Sequence, residues 1–81
     1  MYMSSGNIMK NKIIYKILAK NLRIPEDIIN LETDTTNTPE WDSLAHLRVI
    51  LELEKEFKIK VRNDQIGGLI SIKKLIKHFI A

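Results

Sequence analysis

The sequence predicts an all-α protein, a small four-helix bundle with a long first loop and a short third helix. Apolar residues recur at helical spacing in residues 7–22, 43–57 and 72–79. A segment rich in proline, asparagine and threonine separates the first two of these helices. Residues 57–62 alternate with the period of a strand. No second alternating segment exists to pair with them, so they are predicted to form an extended connector.

Length and composition limit the possible functions. The chain has 81 residues, 44% of them apolar and 28% charged, which is typical of a single globular domain spanning residues 1–81. Residues 1–6 are expected to be a disordered N-terminus. The absence of cysteine excludes disulfides, cysteine-ligated zinc and catalysis by a cysteine thiol. Neither a signal peptide nor a membrane-spanning helix is predicted, and we expect a soluble, cytoplasmic monomer.

The first helix is predicted from Asn7 to Leu22, with lysines four residues apart along its polar face. Pro25 should end it, because proline disfavours helical backbone in the residue before it and donates no backbone hydrogen bond. A long connection then runs to about Asp42. Three apolar side chains are predicted to attach this loop to the core: Ile28, Ile29 and Leu31.

The second helix is predicted to begin at Asp42 or Ser43, both of which are residue types that cap helices well, and to end near Phe57. Its core face is predicted to carry six apolar side chains: Leu44, Leu47, Ile50, Leu51, Leu53 and Phe57. Its outer face is predicted to form a mixed-charge docking surface: Ala45, Arg48, Glu52, Lys55 and Glu56.

Two shorter helices complete the predicted bundle. Asn63 is expected to cap a single turn through Ile66, which the pair Gly67-Gly68 should end. Ser71 is a suitable N-cap for the last helix. The apolar positions of that helix follow helical spacing: Ile72, Leu75, Ile76 and Phe79.

The net charge of +3 hides a segregated distribution. Residues 1–25 contain five basic and no acidic side chains, residues 26–56 nine acidic and two basic ones, and residues 57–81 six basic and one acidic. A small basic nucleic-acid-binding domain would use the basic ends. No helix joins those residues to side chains that read base edges, so solvated helix faces explain them better and no nucleic-acid partner is expected.

No catalytic or metal-binding constellation is recognisable in the sequence. The two histidines, His46 and His78, fall on different predicted helices. His46 lies three residues after Ser43, but no third group is evident to orient it. This favours a histidine at the surface or at the edge of the core, and we predict that the protein is not an enzyme.

The segment Trp41-Asp42-Ser43-Leu44 places a serine at a helix start, after a long acidic loop. A hydroxyl at that position is open to solvent, and the amides of the first helical turn favour an attached phosphate. An Asp-Ser pair is more often a simple N-cap, so the motif depends on its context.

That context resembles the acyl carrier protein family over about Ile8 to Ile80. The resemblance includes the order of the elements and Asp42-Ser43-Leu44 at the start of the second helix. It also includes Leu51-Glu52-Leu53-Glu54-Lys55-Glu56-Phe57, the connector Phe57-Lys58-Ile59-Lys60-Val61, and Ser71-Ile72 at the start of the last helix.

The resemblance implies an acyl or aminoacyl carrier that holds its cargo as a thioester on 4'-phosphopantetheine attached to Ser43. A phosphopantetheinyl transferase would add this group from coenzyme A, using magnesium, and Asp42 and Leu44 match the family's residues beside the serine. The other implied partners are an acyl- or aminoacyl-activating ligase and a downstream transferase or synthase. The implied pathways are fatty-acid, polyketide or peptide-type biosynthesis, without membrane insertion.

The surface of the second helix departs from the family pattern. Positions two, five and twelve after the serine are often acidic in fatty-acid carriers, but here they are Ala45, Arg48 and Lys55. The changed charge should favour different partners. The predicted partner-recognition set comprises Ala45, Arg48, Glu52, Lys55, Glu56 and Ile66. A helical docking module that is never modified remains the alternative.

Overall fold

The computed structural model describes residues 4–80, with side chains from Met9 onward. Its elements are α1 (Ser4–Leu22), a 3-10 turn (Glu26–Ile28), α2 (Ser43–Phe57), α3 (Asn63–Ile66) and α4 (Ile72–Phe79). Apart from one isolated antiparallel bridge between Asp34 and Ser71, residues 4–80 contain no β structure. The predicted all-α, four-helix architecture is confirmed. None of the helices in this range has the length and apolarity required to cross a bilayer.

α1 begins earlier in the chain than the predicted Asn7. Ser4 to Gly6, which fall in the segment expected to be disordered, form its first turn. Residues 1–3 of that segment lie outside the described range. At the other end, Arg23 adopts left-handed backbone with φ 59° and Ile24 N–H donates to the Ala19 carbonyl oxygen at 3.2 Å, so the helix stops before Pro25 as predicted.

The core is built from one buried face of each long helix. The large side chains that are completely buried come from α1, α2 and α4: Ile14, Leu18, Val49, Ile50, Leu53, Ile72 and Leu75. At one end of the bundle, Phe57 of α2 packs against Phe79 of α4 with ring centroids 5.8 Å apart. Removal of this apolar surface from water is the main favourable contribution to folding.

The buried face of α2 differs from the predicted one. Three leucines assigned to the core are exposed: Leu44 by 62%, Leu47 by 48% and Leu51 by 59%. Ala45, His46 and Val49 are buried in their place. Apolar residues cover more of this helix than one core-facing stripe, so their spacing alone does not determine which of them face inward.

Backbone hydrogen bonds join the loop of residues 23–42 to the start of α4 and to the segment just before it. Thr35 N–H donates to the Ile70 carbonyl oxygen at 3.1 Å, and Ile72 N–H donates to the Thr33 carbonyl oxygen at 3.0 Å. Of the three predicted anchors, Ile29 is buried, whereas the other two are exposed: Ile28 by 58% and Leu31 by 48%. Trp41 is a further apolar anchor, because its side chain is buried in the core.

The segment between α2 and α4 follows the prediction closely. Residues 59–62 form no strand, and Gly67 follows the last residue of α3. Arg62, rather than Asn63, occupies the cap position of α3, and its N–H donates to Gln65 Oε1 at 3.2 Å. Ser71 caps α4, since its Oγ accepts from Lys74 N–H at 3.1 Å.

Candidate functional site

Ser43 is the first residue of α2 and is exposed. The residue before it caps the helix: Asp42 has extended backbone, and its Oδ1 accepts from Ala45 N–H at 2.9 Å. The Asp42 carbonyl oxygen then accepts from His46 N–H at 2.8 Å, which starts the helical hydrogen bonds. Of the two residues that the sequence allows as the cap, Asp42 therefore has that role, and the Ser43 hydroxyl stands at the solvent side of the first turn.

A buried hydrogen-bond chain holds the residues before Ser43 in place. Trp41 Nε1–H donates to His46 Nδ1 at 2.9 Å, and His46 Nε2 lies 2.7 Å from the Ile66 carbonyl oxygen. Because an indole N–H can only donate and a carbonyl oxygen can only accept, these contacts require His46 Nδ1 to accept and Nε2 to donate. His46 is 7% exposed, and its two hydrogen bonds join the loop, α2 and the end of α3.

The sequence predicts His46 at the surface or at the edge of the core and indicates no partner for it. The edge-of-core position is correct, but the hydrogen bonds were missed. The tryptophan five residues earlier in the chain is a signal, because a buried indole N–H requires an acceptor. The contact with Ile66, twenty residues further on, has no such local signal.

A groove of about 520 Å³ runs beside Ser43. Its lining comes from the start of α2 and the residues before it, from the loop, and from the segment between the end of α3 and the start of α4. The lining residues are Thr35, Trp41, Asp42, Ser43, His46, Leu47, Ile66, Gly67 and Ile70. The lining combines apolar side chains with polar ones, which suits a flexible chain that contains both kinds of group.

The residues predicted to recognise partners lie in different surroundings: on the exposed face of α2, in the groove beside Ser43 and in the core. Arg48, Lys55 and Glu56 are exposed on α2, and Ile66 lies in the groove beside Ser43. Ala45 is 3% exposed, so its predicted place on the outer face is wrong. Its N–H donates to the Asp42 side chain and its methyl group packs in the core, which leaves it almost no contact with solvent.

Glu52 links α2 to α1. Its two carboxylate oxygens accept from Lys20 Nζ at 2.9 Å and from Asn21 Nδ2 at 3.0 Å. These hydrogen bonds, with that from Lys20 the stronger, lower the pKa of Glu52 below its usual value. The Glu52 carboxylate is therefore stabilised in its charged form by contacts within the protein.

We expect Glu52→Gln to lower the free energy of unfolding by about 0.5–1 kcal/mol at pH 7 and by less at pH 3. Because the folded-state pKa is depressed, the contribution is present above the pKa of the unfolded chain and is lost as the pH falls through the folded-state value. Urea unfolding at the two pH values measures it. Glu56→Gln, at an exposed position on the same helix, is the control. An equal loss at both pH values would contradict the assignment to ionised Glu52.

The sequence is similar to that of a known protein over most of its length. The chain matches no family model. It is similar to a curated protein named acyl carrier protein from Trieres chinensis, with 29% identity over 68 residues that cover 84% of this chain and 85% of the relative. The resemblance predicted from the sequence is thereby confirmed across most of both chains.

Proposed function

From this similarity to an acyl carrier protein, we propose that the chain carries acyl or aminoacyl groups as thioesters on 4'-phosphopantetheine attached to Ser43. One observation carries the proposal. Ser43 is exposed at the first position of α2, while Asp42 supplies the capping contact that a serine at a helix start would otherwise make. A group joined to the Ser43 hydroxyl would therefore break none of the hydrogen bonds that cap α2.

The residues around Ser43 fit a phosphate-linked group. The N-terminus of α2, a helix of 15 residues, presents backbone N–H groups and the positive end of the helix dipole, and both favour an attached phosphate. The groove beside Ser43 offers Thr35 as a polar side chain and Leu47, Ile66 and Ile70 as apolar ones. This mixture suits an arm made of amide and methylene units.

Attachment would be a substitution at phosphorus. Ser43 Oγ would form a phosphodiester with the pantetheine phosphate of coenzyme A as the phosphoanhydride bond breaks. The nucleotide portion would leave, and the hydroxyl proton would pass to a base or to solvent. A separate phosphopantetheinyl transferase with magnesium would catalyse this step. The group would supply the thiol that a chain without cysteine lacks.

The protein would act as a carrier and not as a catalyst. An acyl- or aminoacyl-activating ligase would load it, and a transferase or synthase would take the cargo from it. Tethering the cargo to one mobile arm raises its effective concentration at each partner's active site.

The test is intact mass after incubation with coenzyme A, magnesium and a broad-specificity phosphopantetheinyl transferase. We expect wild type to gain one phosphopantetheine group and Ser43→Ala to gain none. Thr36→Ala removes an exposed hydroxyl elsewhere in the loop and should be modified like wild type. Circular dichroism checks that each variant is folded. A folded wild type that several transferases leave unmodified would overturn the proposal and favour the unmodified docking module.

A further inference from the structure

α2 carries an exposed apolar stripe, formed by Leu44, Leu47 and Leu51. The three side chains follow helical spacing along one face, and the stripe extends for about 10 Å from the residue after Ser43. Adjacent large apolar side chains that the fold leaves exposed mark a surface for interaction. Their position beside Ser43 means that a protein bound there lies next to the proposed attachment site.

Two exposed cations flank this stripe. Arg48 and Lys55 are exposed on α2, and Lys20 of α1 lies across a groove of about 470 Å³ whose lining also includes Leu51. Glu52 pairs with Lys20 and cancels its charge locally. Arg48 and Lys55 each lie three or four residues from one of the leucines, so they are the exposed charged residues of α2 closest to the stripe, whereas exposed Glu56 lies further round the helix.

Two of the three glutamates of α2 are engaged inside the protein. Glu52 binds Lys20 and Asn21 of α1. Glu54 is half-buried, and its Oε2 accepts from Val61 N–H at 2.7 Å in the connector. Glu56, the third glutamate, is exposed, and so are the cations Arg48 and Lys55.

We propose, on the basis of the proposed carrier function, that this surface binds an apolar and acidic surface of the enzyme that loads or unloads Ser43. We call it the α2 docking surface and define it by Leu44, Leu47, Arg48, Leu51 and Lys55. The leucines supply apolar contact, and the two cations select acidic side chains and repel basic ones. A row of leucines beside only two cations suits a protein partner better than a phosphate backbone, which needs an array of cations.

The test uses two synthetic helical peptides labelled for fluorescence anisotropy. They share one leucine pattern and differ only in flanking residues, glutamate in one and lysine in the other. Binding is measured with unmodified wild type and with Ser43→Ala, so the result does not depend on attachment of a prosthetic group. We expect the acidic peptide to bind at least about tenfold more tightly than the basic one to both proteins.

Two double variants distinguish binding at the α2 docking surface from a general effect of the protein's net charge. Arg48→Glu with Lys55→Glu should weaken acidic-peptide binding about tenfold and strengthen basic-peptide binding. Lys12→Glu with Lys77→Glu changes the net charge equally at exposed positions on α1 and α4 and should change binding less than about twofold. Leu47→Ser should weaken binding of both peptides.

Three results would overturn the docking proposal: equal binding of the two peptides, equal losses in the two double variants, or a concentration-dependent dimer that the Arg48 and Lys55 substitutions abolish. The last would make a second copy of the chain the occupant, and sedimentation velocity would detect it. The two proposals can fail separately. Mass gain without selective peptide binding rejects the docking surface, and selective binding without mass gain rejects the attachment to Ser43.

Discussion

Replacing Leu53 with alanine should lower the free energy of unfolding by about 2–5 kcal/mol. Leu53 is completely buried on α2 and belongs to the core cluster shared with α1 and α4. The substitution removes apolar contact and leaves a cavity that surrounding helices can only partly fill. Urea unfolding followed by circular dichroism measures the loss. It is a large fraction of the stability that a small domain possesses.

Leu51→Ala is the matched control, because it changes the same residue type two positions earlier on the same helix. Leu51 is exposed, so the expected change is within about 0.5 kcal/mol. The same variant should bind the acidic peptide less tightly. Equal destabilisation by the two substitutions would contradict the orientation of α2 described above.

His46→Ala should lower the free energy of unfolding by about 2–4 kcal/mol. The substitution leaves the Trp41 indole N–H and the Ile66 carbonyl oxygen without the partner they share in the native protein. Trp41 is the sole tryptophan of the chain, so its fluorescence should report the changed environment directly. Urea unfolding gives the energy, and the emission spectrum of the folded variant gives the local effect.

His46→Gln separates lost hydrogen bonds from lost volume. The glutamine amide offers an acceptor and a donor at a separation similar to that of the two imidazole nitrogens, so it should recover part of the stability. If glutamine destabilises as much as alanine, the hydrogen-bond chain does not contribute to the stability of this region.

The sequence predicts the core face of α4 because the apolar residues of that helix form a narrow stripe. Ile72, Leu75 and Phe79 are buried at the predicted positions. On α2 the apolar residues cover more than one face, and a small alanine and a hydrogen-bonded histidine are buried there instead of larger leucines. Burial at such positions depends on the neighbouring elements, which a local pattern does not contain.

In the candidate site, too, a local sequence pattern predicts where α2 begins but not the contacts between residues that are distant in sequence. Asp42-Ser43-Leu44 predicts the start of α2, because aspartate and serine both cap helices. Only the backbone of the folded loop determines which of the two is the cap, and it is Asp42. The bond from His46 to the Ile66 carbonyl oxygen joins residues that are distant in sequence, so no local pattern reveals it.

The pairing of Thr33 and Thr35 with Ile70 and Ile72 has a consequence for the order of folding. These backbone hydrogen bonds close a long stretch of chain, and the entropy lost on closure delays such contacts relative to those within a helix. During synthesis, the loop that leads to Ser43 acquires its final hydrogen bonds only after the start of α4 has emerged from the ribosome. The nascent domain therefore completes this loop at a late stage of its translation, although Ser43 itself lies near the middle of the chain.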